Sequence, residues 1–148
     1  MRTANSTFEV ILSYKAKDLG SAVIKMSPNI RQIIGRHENT LRLGSRACHV
    51  RDHLHVLRCG KCSKFGHSTS KCAATNPICS FCAQSHDSKS CSQKSDAYKH
   101  KCSNCISDNI PESENQHSAH SKSCPRFASS LRRLISMTDW GDAALPSF

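Results

Sequence analysis

The chain has 148 residues, of which 37% are hydrophobic and 5% aromatic, so it can build only a small core. Lysine and arginine exceed the acidic residues by ten, which favours a polyanionic partner. No stretch approaches the roughly 18 apolar residues of a membrane span, and residues 1–10 lack the apolar segment of a secretory signal. We expect an intracellular protein, nuclear, cytoplasmic or both, that is neither secreted nor membrane-bound.

Residues 1–58 predict a small α+β segment of order β-β-α-β. A first strand is indicated by alternating apolar residues, namely Phe8, Val10, Leu12 and Tyr14, and a second strand spans residues 22–26 after a turn at Gly20. Ser27 and Pro28 are typical of a helix start, and Gly35 of its end. Further strand is predicted over residues 40–43 and 47–57, with a bend at Gly44 and Ser45.

Two cysteine-histidine units follow, each with the spacing of a zinc knuckle. The first occupies residues 59–72 and has the ligands Cys59, Cys62, His67 and Cys72. The second occupies residues 79–91 and has the ligands Cys79, Cys82, His86 and Cys91. Two thiolates separated by two residues can hold one tetrahedral ion, and four protein ligands leave no position for substrate. We therefore predict structural zinc sites whose loading is coupled to folding.

A third unit, residues 102–124, contains Cys102, Cys105 and Cys124, with His117 or His120 as the fourth ligand. Spacing alone does not distinguish the two histidines. The alternative of disulfide bonds, which an even number of ten cysteines allows, conflicts with a reducing compartment. Cys48 lies outside the three units and is expected to be a small buried strand residue.

Zinc knuckles of this kind mostly contact unpaired bases through aromatic side chains and phosphates through lysine and arginine. The candidate contacts in and near the knuckles are Arg58, Lys61, Lys64, Phe65, Lys71 and Phe81. Tyr98, Lys99 and Lys101 add an aromatic and two cations to the second linker, although an ordinary polar linker would look the same. The acidic residues Asp108, Glu112 and Glu114 should make the third knuckle the weakest binder.

Residues 125–148 predict one short amphipathic helix and a tail. The apolar residues Phe127, Leu131, Leu134 and Ile135 recur at helical spacing beside arginines. This helix could dock on the third knuckle of its own chain or on a partner, and the sequence does not decide between them.

The chain resembles the Gag-like first open reading frame products of jockey-type non-LTR retrotransposons. The matching stretches are residues 23–28 with the following helix, 48–52, 57–59, 65–67 and 117–125, and the resemblance covers residues 8–140. It implies a partial RRM-like segment followed by three zinc knuckles, His117 as the third histidine ligand, and three zinc ions. It also implies binding of single-stranded RNA or DNA, self-association, packaging of the element's RNA into a ribonucleoprotein, and a reverse transcriptase on another polypeptide as partner.

The chain departs from the family at three places. Gly60 stands where the family has an aromatic, the segment before His117 is longer, and residues 1–58 lack the first strand and helix of an RRM-like fold. We therefore expect residues 1–58 to be marginally stable, as in a truncated or decayed copy. The alternative function is a cellular zinc-knuckle adaptor that binds protein partners in an RNA-processing complex. No phosphate loop, open metal site or paired nucleophile and base is found, so we expect no enzyme.

Overall fold

The computed structural model describes residues 6–16 and 19–142, which belong to two compact units. The first unit comprises Met1–His53 and Thr138–Phe148, and the second comprises Leu54–Met137. Most of the predicted C-terminal tail, from residue 143 onwards, lies outside the described residues. No helix in the described part of the chain is long and apolar enough to cross a membrane.

The first unit begins with a long antiparallel hairpin of β1, Phe8–Ala16, and β2, Leu19–Met26. A bulge at Ile11 changes the register, because Val10 lies opposite Ile24 and Leu12 lies opposite Val23. Since consecutive residues of a strand point to opposite faces, the bulge moves Leu12 to the face opposite to that of Val10. The predicted first strand is confirmed, and the bulge interrupts the alternation of its apolar residues.

Gly20 does not form the turn of this hairpin. It lies in β2 opposite Lys15, and the connection at residues 17–18 is outside the described residues. The second strand is therefore longer at its start than the apolar pattern indicated.

Helix α1, Pro28–Arg36, begins where the Ser27-Pro28 pair predicts. The Ser27 side chain does not cap the helix, however. Its hydroxyl accepts a hydrogen bond from the Thr7 amide at 3.2 Å and donates to Asn29 Oδ1 at 2.5 Å. The helix passes Gly35 by one residue, and the chain then turns through Glu38 and Asn39, both at φ 54°.

A second hairpin joins β3, Thr40–Leu43, to β4, Arg46–His49, around Gly44 at φ 61° and Ser45. The predicted bend was correct, but the predicted strand over residues 47–57 ends at His49. Three residues later Asp52 forms a two-point ion pair with Arg31 of α1, at 2.6 and 2.9 Å. The two hairpins form separate two-stranded sheets in the described residues, so the RRM-like topology is not confirmed.

The first unit buries little apolar surface. Ile34 is 4% exposed, whereas apolar side chains of β1 and α1 are about half exposed, namely Phe8, Val10, Ile11, Leu12, Tyr14 and Ile33. Cys48 is half-buried on β4, opposite Leu41. The fold is therefore small and α+β, and α1 provides its main buried contact.

The second unit contains the three cysteine-histidine units and little regular structure. Its helices are α2, Ser103–Ser107, α3, Glu112–Asn115, and α4, Pro125–Met137. Single 3₁₀ turns occur at Thr69–Lys71, Ser88–Ser90 and Ala97–Lys99. The core of this unit is made mainly of cysteines, of which those at 59, 79, 102, 105 and 124 are almost completely buried.

Candidate metal centres

Three groups of four side chains could each hold a metal ion. The groups are Cys59, Cys62, His67 and Cys72; Cys79, Cys82, His86 and Cys91; and Cys102, Cys105, His117 and Cys124. Within each group the candidate ligand atoms all lie within 4.8 Å of one another. All ten cysteines are free thiols, so the disulfide alternative finds no support in this structure.

The spacing within each group is that of a tetrahedral site. Bond lengths to zinc give about 3.8 Å between two ligand sulfurs and about 3.6 Å between sulfur and nitrogen. The Cys102 and Cys124 sulfurs are 3.8 Å apart, and those of Cys82 and Cys91 are 3.9 Å apart. The Nε2 atoms of the three histidines lie at similar distances from a sulfur of their group: His67 to Cys62 at 3.3 Å, His86 to Cys82 at 3.6 Å and His117 to Cys105 at 3.5 Å. Three thiols and one imidazole at these distances suit Zn²⁺.

In the first two knuckles the same backbone turn delivers the first pair of thiols. The Cys59 amide donates to the Lys64 carbonyl and the Cys79 amide to the Gln84 carbonyl, both at 2.8 Å. The residue after the second cysteine, Ser63 or Ala83, has a φ of 61° in both. This left-handed conformation is unfavourable for a residue with a side chain, and the tight turn around the ligands imposes it.

The third knuckle replaces this tight turn by a helix. Cys105 lies in α2, and the Cys102 amide donates at 3.0 Å to Asn115, which is thirteen positions further along the chain. The segment between them contains α3. In the second and third knuckles alike, the carbonyl that accepts from the first cysteine's amide lies two residues before the histidine. In both, the histidine amide donates to the carbonyl two residues earlier, Gln84 or Asn115. The insertion therefore leaves the ligand geometry intact.

His117 lies with the three thiols of the third group, and His120 does not. His120 Nε2 shares a hydrogen bond with Ser80 Oγ at 3.0 Å, and its ring centroid is 5.8 Å from that of Phe81. Burial lowers the pKa of His117, which favours the neutral imidazole that a metal requires, although the Glu114 carbonyl partly opposes this effect.

The thiols do not ionise alike. Burial opposes ionisation of Cys59, but the amides of Lys61 and Cys62 donate to its sulfur at 3.3 and 3.5 Å, and its pKa falls to about 6. Cys79 is similar: burial raises the pKa, amide donors that include Phe81 lower it, and the result is about 7. Burial raises the pKa of Cys82 to about 11. Amide hydrogen bonds to sulfur thus favour the thiolate form of one cysteine in each of these two knuckles.

The three knuckles contact one another, which the sequence did not indicate. The first two are joined at Ile78, whose amide donates to the Lys61 carbonyl at 2.8 Å and whose carbonyl accepts from Ser63 Oγ at 3.0 Å. The second and third are joined by the Ala119 amide, which donates to the Ser80 carbonyl at 2.8 Å. Ala119 is 1% exposed, so this contact is buried.

Asn104 joins the third knuckle to the first. Its Oδ1 accepts from the Phe65 amide at 3.3 Å, and its Nδ2 donates to the Ser63 carbonyl at 2.9 Å. Asn104 is 6% exposed and was absent from the residues singled out in the sequence, because an asparagine between two ligand cysteines carries no recognisable signal. Its two hydrogen bonds span about forty residues of chain, so they fix the relative position of two knuckles.

The predicted aromatic contacts have different environments. Phe65 is half-buried against the third cluster, with its ring centroid 6.1 Å from that of Phe127 in α4. Phe81 lies between His100 and His120, at 5.4 and 5.8 Å, with Lys94 Nζ above its ring. Tyr98 is 87% exposed. A base can therefore reach Tyr98 freely, whereas both phenylalanines also have intramolecular neighbours.

The predicted basic contacts also fall into two sets. Arg58 donates to the Ala119 carbonyl at 2.9 Å, Lys99 is paired with Asp96 at 3.2 Å, and Lys101 with Glu112 at 2.7 Å. In contrast, Lys61, Lys64 and Lys71 have no carboxylate within ion-pair distance among residues 6–16 and 19–142. Among the predicted basic contacts, these three lysines of the first knuckle are thus the most available to an anion.

The C-terminal helix docks on its own chain. Phe127 packs against the third cluster, the Ala128 amide donates to the Cys124 carbonyl at 3.0 Å, and Arg126 forms an ion pair with Asp108. The alternative that the sequence left open, docking on this chain's third knuckle, is therefore observed for the start of α4.

Comparisons with known proteins do not identify the chain. No protein-family model, curated protein or solved structure gives a significant match. The three cysteine-histidine clusters are accordingly the firmest guide to what this protein does.

Proposed function

We propose that the chain binds three zinc ions and, in that loaded form, binds single-stranded nucleic acid, with RNA preferred over DNA. The observation that carries the proposal is the presence of three Cys₃His clusters with the edge lengths of a zinc tetrahedron. Four protein ligands at each cluster leave no place for a substrate, which supports a structural rather than a catalytic role for the metal.

The charge around the first knuckle supports a phosphate-containing partner. The sequence has no acidic residue between Asp52 and Asp87, while four basic residues lie in that interval, at 58, 61, 64 and 71. Lysines held beside exposed aromatic surface are the usual means of binding an unpaired strand. Tyr98 supplies such a surface in the second linker.

The finer part of the proposal is a Gag-like role, in which the protein coats and packages retrotransposon RNA. The resemblance described above supports it, together with the order of an α+β unit before three knuckles. Self-association and contact with a reverse transcriptase belong to the same proposal. The protein-binding adaptor is the competing function.

A zinc count by native mass spectrometry, followed by RNA affinity with and without a chelator at two salt concentrations, tests the proposal. We expect three zinc ions, loss of RNA binding on chelation, and a steep fall of affinity with salt. Zinc-loaded protein that binds no RNA, but retains protein partners after nuclease treatment, would establish the adaptor instead.

A further inference from the structure

A cleft of about 530 Å³ opens between the first knuckle, the following linker and helix α2. Its walls include Lys64 and His67 of the first knuckle, Ala74 and Ile78 of the linker, and Ser103 and Ile106 of α2. Its volume lies within the range of small-molecule sites. All of these residues belong to the second compact unit.

The walls of the cleft are held in place on both sides. Asn104, next to Ser103, ties α2 to the first knuckle through its bonds to Phe65 and Ser63. Ile78 ties the linker to the same knuckle through its bonds to Lys61 and Ser63. A ligand would therefore enter a preformed space and would not have to order the chain, which reduces the entropic cost of binding.

The chemistry of the walls suits a flat, largely apolar ring with a polar edge. Ile78 and Ile106 supply the apolar surface, and Ile106 is 44% exposed although it is large and hydrophobic. Ser103 is 8% exposed, and its buried hydroxyl has no hydrogen-bond partner in the described part of the chain. A buried hydroxyl without a partner is costly, so a ligand that satisfies it gains free energy.

Lys64 adds a cation at the same cleft. It is exposed and has no ion-pair partner among the described residues, and no carboxylate lines the cleft. A ligand that combines an apolar ring, a hydrogen-bonding edge and a negative charge matches this set of groups.

We propose that the cleft receives one unpaired base of the bound strand, with the adjacent phosphate at Lys64. This inference rests on the proposed function and adds a base-binding site that is formed by two different knuckles. The base lies between Ile78 and Ile106, and its polar edge meets the Ser103 hydroxyl.

The test separates bases from phosphates. The zinc-loaded full chain is titrated with a single-stranded RNA of about eight nucleotides, a common site size, and with its fully abasic counterpart, which keeps the phosphates. Ile106→Ser removes apolar wall, and Ala74→Leu fills the cleft from the opposite side. Leu57→Ser is the matched control, because Leu57 is 43% exposed but does not line the cleft. Zinc content by native mass spectrometry verifies that each variant folds.

We expect both cleft variants to bind the base-containing RNA about ten-fold more weakly, because one base loses its apolar contacts, and to bind the abasic strand as the wild type does. Leu57→Ser should change neither affinity. The base site is overturned if either zinc-loaded cleft variant keeps the wild-type ratio of affinities for the base-containing and abasic strands. An equal loss of affinity for both strands is one such result. If the zinc-loaded wild type binds neither strand, the proposed function itself fails.

Discussion

The two units of this protein are stabilised by different means. The first unit has two hairpins and one helix, yet it leaves most of the β1 side chains about half exposed. The second unit has almost no sheet, but it buries eight of its nine cysteines and ties its three parts together by hydrogen bonds. Regular secondary structure is therefore a poor guide to stability here. The position of the candidate metal ligands is a better one, because metal binding there would supply the free energy that a small core cannot.

The largest expected effect comes from metal removal. A strong chelator should unfold residues 54–137 and leave the first unit nearly unaffected, because every candidate ligand group lies in the second unit. Hydrogen exchange followed by mass spectrometry of peptides from both units would measure this. Equal protection of residues 54–137 with and without chelator would remove the basis of the comparison.

Loss of one ligand should be the next largest effect. Cys102→Ser should lower the zinc count from three to two. It should also release α4 from the third cluster, since Cys102 is fully buried in the cluster against which Phe127 of α4 packs. Cys48→Ser is the matched control, because Cys48 lies on β4 and belongs to no ligand group. Native mass spectrometry counts the ions, and a count of three in Cys102→Ser would contradict the assignment of this cluster.

Loss of the link between knuckles should have a smaller effect. Asn104→Ala leaves the Phe65 amide and the Ser63 carbonyl without their partner, and should cost about 1–3 kcal/mol of stability. The control Ser107→Ala removes a hydrogen bond within α2 only, to the Ser103 carbonyl. Thermal unfolding of the zinc-loaded variants compares them. Equal midpoints would mean that the knuckles are stable independently.

The smallest effect should be in the first unit. Asp52→Ala removes the ion pair with Arg31. The Arg31 side chain is 25% exposed and that of Asp52 20%, so the loss should lower the stability of the first unit by about 1 kcal/mol. Arg36→Ala is the control, because this arginine forms no ion pair in the described residues. Exchange rates of peptides from α1 and β4 report the change. Exchange rates that match those of the control would show that the ion pair does not hold α1 to the segment after β4.

The sequence predicted the local features well where a few residues decide the structure. Cysteine spacing anticipated the first two clusters, the Ser27-Pro28 pair anticipated the start of α1, and Gly44-Ser45 anticipated the second hairpin. These features depend on neighbours in the chain, so a short stretch contains the information.

Features that depend on distant residues were missed. The bulge at Ile11 arises from pairing with β2, and β4 ends at His49, three residues before Asp52 pairs with α1. Spacing left His117 and His120 open and only the resemblance favoured His117, which is the histidine that lies with the three thiols, while His120 shares a hydrogen bond with Ser80. Contacts between knuckles, such as those of Asn104 and Ala119, have no periodic pattern that a single sequence could reveal.

The hydrogen bonds at Ile78 determine where in this chain insertions and deletions can be tolerated. The first linker, residues 73–78, begins after the candidate ligand Cys72 and ends at Ile78, which is hydrogen-bonded to the first knuckle. An insertion in this linker would therefore displace the second knuckle from the first. The segment between Cys105 and Asn115 is different, because its ends are brought together by the Cys102–Asn115 hydrogen bond and its middle is exposed. Closing a longer loop costs little. Insertions and deletions should therefore accumulate in the third knuckle and be absent from the first linker.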